Sequence, residues 1–263
     1  MISGFVIDMD GTVYKGGKAI SGASKFIDEL NRRRIPFVFL TNNSAHGRKF
    51  YYDKMRKMGF DVTLDNIITS TIATIRYLKL NRPGKTVYPL GVPQFDDELK
   101  EAGVTIDDKD PDIVLLAFDT TITYEKINNA YHFLMAGSEF IATHPDDLCP
   151  TEDGYDVDIG PFIRFFESMT GKKATVIGKP DRRMLEMAAG AMNIDISGLA
   201  MVGDRLYTDI KMACDNDITS IVVLTGETKK DDLKASNIRP TFVVDSVADI
   251  PKDILDSEKN RVL

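Results

Sequence analysis

No apolar run in the 263-residue sequence approaches the roughly 18 residues that a membrane-spanning helix needs, so no membrane partner is expected. The first residues carry no basic stretch followed by an apolar segment and a small-residue cleavage site, so no secretory signal is expected and a cytoplasmic location is the default. Cysteine is scarce. Cys149 and Cys214 have neither CxxC spacing nor histidine neighbours, which argues against a disulfide framework or a structural zinc and for reduced thiols. Basic charge is also in deficit, with 33 Lys and Arg against 40 Asp and Glu and a net charge of −7. Nucleic-acid binders carry a basic footprint, so no nucleic-acid partner is expected. The one basic run, Arg32-Arg33-Arg34, closes a predicted helix, where positive charge complements the helix dipole. A GxxxxGK[ST] run is missing, which excludes a P-loop kinase or ATPase. There is no repeat of fixed period and no low-complexity tract.

What is present starts at Gly4-Phe5-Val6-Ile7-Asp8-Met9-Asp10-Gly11-Thr12. The run Phe5 to Ile7 suits a strand buried on both faces of a parallel sheet. Residues two apart point the same way in extended chain, so Asp8 and Asp10 share one side of the strand tip. Two carboxylates that close repel each other unless a divalent metal or a shared proton intervenes. Gly11 then permits a tight turn. A calcium-binding EF-hand loop is disfavoured, because its glycine is the sixth residue and Gly11 is the fourth counted from Asp8. Taken alone, the pair also suits an ordinary capping turn.

The remaining chain alternates strands and helices. Ala23, Phe26, Ile27 and Leu30 recur at helical spacing within residues 21–34, and Pro36 stops that helix before the apolar run Phe37 to Leu40. This second strand ends in Thr41-Asn42-Asn43-Ser44, a turn of hydroxyl and amide groups leading into a helix over about 48–58. A turn cluster at Asn81-Arg82-Pro83-Gly84 marks a domain boundary. Beyond it come strands at 86–90, 112–118 and 140–142 with helices between them, then a long irregular stretch at 143–158 and a helix at about 161–169. A third block has a strand at 175–177 ending in Gly178-Lys179-Pro180, and a strand at 199–202 ending in Gly203-Asp204-Arg205-Leu206-Tyr207-Thr208-Asp209. Strands at 220–224 and 242–244 follow. The expected fold is α/β, a doubly wound, Rossmann-like parallel sheet with a second α/β block inserted. The expected division is 1–79 for the first part of the core, 80–178 for the insert and 179–263 for the second part. Four strand ends on one sheet edge would gather Asp8 and Asp10, the Thr41 turn, Lys179, and Asp204 with Asp209 in one crevice.

In this order, these four motifs resemble those of the haloacid dehalogenase-like (HAD) superfamily over essentially the full chain. The Thr-Asn-Asn-Ser turn and the insert of about a hundred residues resemble the NagD branch, which includes p-nitrophenylphosphatase-type and sugar-phosphatase enzymes. The resemblance implies a Mg²⁺-dependent phosphatase acting on small phosphomonoesters. Asp8 would be the nucleophile that forms an aspartyl-phosphate, and Asp10 the general acid and base. Mg²⁺ would be held by Asp8, the Asp10 backbone carbonyl and Asp204, with Asp209 orienting its waters or Lys179. Thr41, Asn42, Asn43 and Lys179 would bind phosphoryl oxygens. Asp10 separates this chain from dehalogenases and ion-pumping ATPases, which lack or replace it, but not from phosphomutases.

The insert resembles a cap domain whose loop at 143–160 selects substrate, with His144 and Asp146 as candidate specificity residues. His144 stands where many relatives carry Asn, and Gly160-Pro161 replaces a Gly followed by a small residue. The implied partner is a small phosphorylated metabolite of the sugar-phosphate kind. Nucleotide 5′-monophosphates, phosphoglycolate and pyridoxal phosphate are alternatives, and a phospho-accepting regulatory protein is the non-enzyme alternative. Association into a homo-oligomer stays open.

Overall fold

The computed structural model describes residues 2–151 and 154–255. The chain forms two compact units, one drawn from Met1–Thr41, Tyr51–Ile68 and Pro180–Leu263, the other from Asn42–Phe50 and Thr69–Lys179.

The first unit is built on a six-stranded sheet. Its order is Phe242–Val244, Thr219–Val223, Leu199–Gly203, Gly4–Ile7, Phe37–Thr41, Ile67–Thr69. Gly4–Ile7 lies parallel to both Leu199–Gly203 and Phe37–Thr41, and every residue of these three strands is buried. From Gly4–Ile7 the chain moves outward to one side through the next two strands of the sheet and to the other side through the last three. Gly4–Ile7 is therefore the topological switch point, and the crevice beyond its carboxyl end is where such a sheet binds ligands. The helix Ala23–Arg33 buries Ala23, Phe26, Ile27 and Leu30, the four residues expected from the spacing. It ends at Arg34 in a left-handed conformation (φ 57°), and Arg32 and Arg33 both bond Glu29. A small two-stranded ribbon, Tyr14–Lys15 with Lys18–Ala19, follows the Asp8–Asp10 tip and has no sequence-level counterpart, because two-residue strands carry no periodicity.

The second unit contains a four-stranded parallel sheet in the order Thr175–Val176, Glu139–Ala142, Ile113–Leu116, Val87–Leu90. Its core includes Phe95, Leu99, Leu134, Phe140 and Phe166, with the last two rings edge to face at 5.8 Å. Two expectations change here. The strand before Lys179 pairs with Glu139–Ala142 (Thr175 with Ile141, Val176 with Ala142), so it belongs to this sheet and not to the six-stranded one. An apolar tripeptide signals a strand but not which sheet receives it. The stretch at 143–158 is also not wholly irregular, since Leu148–Pro150 and Tyr155–Val157 pair as an antiparallel hairpin. Among the described residues, no helix is long and apolar enough to cross a membrane.

Candidate active site

In the first unit, three carboxylates converge at the switch point. Asp8 continues the ladder, its N–H donating to the Val202 carbonyl at 2.8 Å, and it accepts a hydrogen bond at 3.2 Å from the hydroxyl of fully buried Thr12. Asp204 follows the neighbouring strand Leu199–Gly203. Asp209 sits in a widened helical turn, Leu206–Ile210, of the π type that recurs at functional sites. One carboxylate oxygen from each of Asp8, Asp204 and Asp209 lies within 4.8 Å of the others. Burial, and then the charges of Asp8 and Asp209, push the Asp204 carboxyl well above the usual range. Its Oδ2 accepts the Glu227 N–H at 2.7 Å, whereas its buried Oδ1 has no hydrogen-bond partner among the described residues. A buried oxygen-only set with an unsatisfied lone pair suits a hard divalent cation such as Mg²⁺, which would supply the missing countercharge.

Close backbone approach makes this cluster feasible. A Cβ on Gly226 would collide with the Asp204 carboxylate, and one on Gly203 with the side chain of Asp209. The loop carrying Gly226 is tied in from both sides: Thr225 Oγ1 donates to the Gly11 carbonyl at 2.6 Å, and the Thr228 N–H to the Asp204 carbonyl at 3.1 Å.

Asp10 has a different environment. Its carboxyl is pushed up to about 6, chiefly by burial, with the Asp8 charge adding to the rise and Lys54 and Arg205 opposing it. The Lys54 ammonium lies 4.1 Å from the centre of the Tyr14 ring, and Arg205 pairs with Glu227 at 3.0 Å. Neighbouring carboxyl groups in such unlike surroundings are the usual basis of separate acid and nucleophile roles.

In the second unit, Lys179 is buried just beyond Thr175–Val176. Its backbone N–H donates to Asn42 Oδ1 at 2.8 Å, and Asn42 Nδ2 donates to the Lys179 carbonyl and to Asp146 Oδ2, both at 3.0 Å. Asn43 Oδ1 accepts the Ala45 N–H at 2.9 Å, and its amide donates to Cys149 Sγ at 3.4 Å. His144 is fully buried, with Nε2 2.8 Å from Asp158 and Nδ1 2.9 Å from the Thr143 hydroxyl.

A profile described as haloacid dehalogenase-like hydrolase matches residues 5–105, and one described as HAD-hydrolase-like matches residues 176–250. The chain belongs to the haloacid dehalogenase-like hydrolases. It is 36% identical over 258 residues to an acid sugar phosphatase of Staphylococcus haemolyticus, covering 98% of this chain and 97% of that one. Among solved structures, the 4-nitrophenylphosphatase of Thermotoga maritima superposes with a TM-score of 0.90 at 38% identity, covering 94% of this chain and 95% of that one. NagD of Escherichia coli K-12 superposes with a TM-score of 0.88 at 29% identity, covering 95% and 98%. The chain is thus a phosphatase of the NagD-like branch of the HAD hydrolases.

Within this HAD phosphatase, the structure brings Asp8, Asp204 and Asp209 together and leaves the Asp10 side chain outside that trio. Thr41 is the last residue of its strand and is buried. Asn42 Nδ2 donates to Asp146 and Asn43 Oδ1 accepts the Ala45 N–H, so both side chains anchor the turn that follows Thr41. The candidate specificity residues His144 and Asp146 are both buried in a hydrogen-bonded knot. Sequence reasoning missed Thr12, Lys54 and the turn Thr225 to Thr228. The last had a signal, a Thr-Gly turn at the carboxyl end of the expected strand 220–224.

Proposed function

We propose that this HAD phosphatase hydrolyses small phosphomonoesters of the sugar-phosphate class, with Mg²⁺, through an aspartyl-phosphate on Asp8. The observation that carries the reading is the contrast at the strand tip. Asp8, Asp204 and Asp209 form an oxygen cluster suited to a divalent cation, while Asp10 is held apart and protonated up to about pH 6. The staphylococcal relative's sugar-phosphatase name supports the substrate class.

An Asp8 oxygen attacks phosphorus, the bond to the ester oxygen breaks, and Asp10 gives its proton to the departing alkoxide. Asp10, now a carboxylate, takes a proton from water, whose oxygen attacks the same phosphorus. The bond to Asp8 breaks and inorganic phosphate leaves. Bound Mg²⁺, held by Asp8, Asp204, the Asp10 carbonyl and, through water, Asp209, would offset the repulsion between the carboxylate and the phosphoryl group. Thr41, the main chain of Asn42 and the charge of Lys179 are assigned to the phosphoryl oxygens. The insert, 80–178, is assigned the role of cap.

Phosphate release from sugar phosphates, nucleotide 5′-monophosphates, phosphoglycolate, pyridoxal phosphate and an aryl phosphate tests this, with Mg²⁺ and with a chelator. The expected result is metal-dependent turnover that favours sugar phosphates and is silent in Asp8→Asn. Full activity of Asp8→Asn, or turnover that is indifferent to the chelator, would overturn it.

A further inference from the structure

The second unit contains a polar network that the reaction as described does not use. Asn42 presents its amide to the main chain of Lys179 as a strand partner would, accepting from the N–H at 2.8 Å and donating to the carbonyl at 3.0 Å. Only one orientation of that amide satisfies both bonds. The second amide hydrogen goes to Asp146 Oδ2 at 3.0 Å, which accepts only from the nitrogen end and so locks the orientation. Asn42 is held at its own backbone too, by Ser70 Oγ donating to its carbonyl at 2.5 Å.

Asp146 is itself fixed from two directions. The Gly160 N–H donates to its carbonyl at 2.8 Å, and the Asp158 N–H donates to the next carbonyl, that of Asp147, at 2.9 Å. Asp158 in turn takes His144 Nε2 at 2.8 Å and its neighbour's N–H, that of Ile159, at 2.7 Å. Gly178 lets these segments meet, since a Cβ there would sit 2.6 Å from both Asn42 Oδ1 and the Thr143 carbonyl.

We infer that Asp146 is a positioning residue for Lys179, acting through Asn42, and that His144 with Asp158 is the strut that holds Asp146. This rests on the phosphatase reading above and recasts the insert's polar loop. Its buried acid sets where the phosphate-binding lysine starts from, and does not choose among substrates. Ladder-type bonds continue past the two-residue strand, from the Ile177 N–H to the Ala142 carbonyl at 3.1 Å and from the Gly178 N–H to the Thr143 carbonyl at 2.8 Å. At Lys179 itself the Asn42 side chain supplies the next pair of main-chain bonds. A misplacement of about 1 Å at such a group costs on the order of 100-fold in rate.

The test is a double-mutant cycle of Asn42→Ala and Asp146→Ala, read as kcat and KM for a sugar phosphate and an aryl phosphate, and as calorimetric affinity for inorganic phosphate with Mg²⁺. Each single variant is expected to lose about 10–100-fold in kcat/KM, by the same factor for both substrates, and to bind phosphate more weakly. The double variant is expected to lose no more than the worse single one, because the residues act as a unit. Asp146→Asn keeps an acceptor oxygen for the Asn42 amide and is expected to recover most of the loss. If Asp146→Ala does not fold, Asn42→Asp replaces it in the argument. That variant keeps the acceptor for the Lys179 N–H but loses both donated bonds, and is expected to match the alanine variant. Losses that multiply in the double variant, or a substrate ranking reversed by Asp146→Ala, would overturn the inference while leaving the phosphatase reading intact. A wild type inactive on every phosphomonoester would instead remove the reading on which it rests.

Discussion

Asp8 and Asp10 are two residues apart, yet their surroundings differ as the proposed nucleophile and acid roles require. Asp8 takes a hydrogen bond from Thr12 and faces Asp204 and Asp209, whereas burial raises Asp10 to about 6. A general acid must hold its proton until the leaving group departs, so kcat/KM is expected to fall as pH rises through about 6. Asp10→Asn should abolish that limb and lower kcat by about 10²–10⁴-fold, measured as a pH profile of single-turnover phosphate release. The sequence makes this carboxylate pair readable because it directly follows an apolar run, but the strand stops at Ile7, so period-two spacing does not place Asp10 beside Asp8 in the cluster. Gly226 was not readable, since its importance lies in bringing backbone against a carboxylate 22 positions earlier. Gly226→Ala is expected to displace Asp204 and weaken Mg²⁺ about 10–100-fold, comparable to losing a group that orients a metal ligand. Titration calorimetry of the folded variant checks this, and an unchanged Mg²⁺ affinity would refute it.

Elements with many residues on one buried face were legible, and elements defined by pairing were not. The helix Ala23–Arg33 buries the four residues its spacing names. By contrast, Thr175–Val176 looked like a strand of the main sheet and pairs in the other one, because partner choice depends on register with Glu139–Ala142 and not on its own two residues. The hairpin Leu148–Pro150 with Tyr155–Val157 was hidden for the same reason. The second unit's sheet rests on its helices, notably Gly160–Thr170 through fully buried Phe166 against Phe140. Phe166→Ala is expected to cost about 3–5 kcal/mol in denaturant unfolding. Thr123→Ala, which removes an N-cap accepting the Lys126 N–H, should cost only about 1 kcal/mol. Equal losses would mean that the packing argument misjudges which contacts hold the unit.

At the scale of the whole molecule, the carboxylate cluster sets stability against function. Asp204 and Asp10 both have carboxyls raised in the folded state, so at these two sites the native protein holds protons that the unfolded chain has lost between the ordinary carboxylate range and the folded values. Stability from these groups is therefore fully present below the unfolded carboxylate range near pH 4. It is lost as pH rises through the folded values, about 6 for Asp10 and well above the ordinary value for Asp204. A divalent cation bound to the native state reverses the trend by replacing protons with metal charge. Three melting outcomes follow for the full chain. Without metal, the wild type should melt lower at pH 7.5 than at pH 5. Added Mg²⁺ should raise Tm more at pH 7.5 than at pH 5. Asp204→Asn should melt above the wild type without metal at pH 7.5, by about 2–4 °C for each kcal/mol of repulsion relieved, and should lose the response to Mg²⁺. If Asp204→Asn instead melts lower than the wild type at pH 7.5 without metal, Asp204 is a structural acid whose bond to the Glu227 N–H outweighs its repulsion by Asp8 and Asp209.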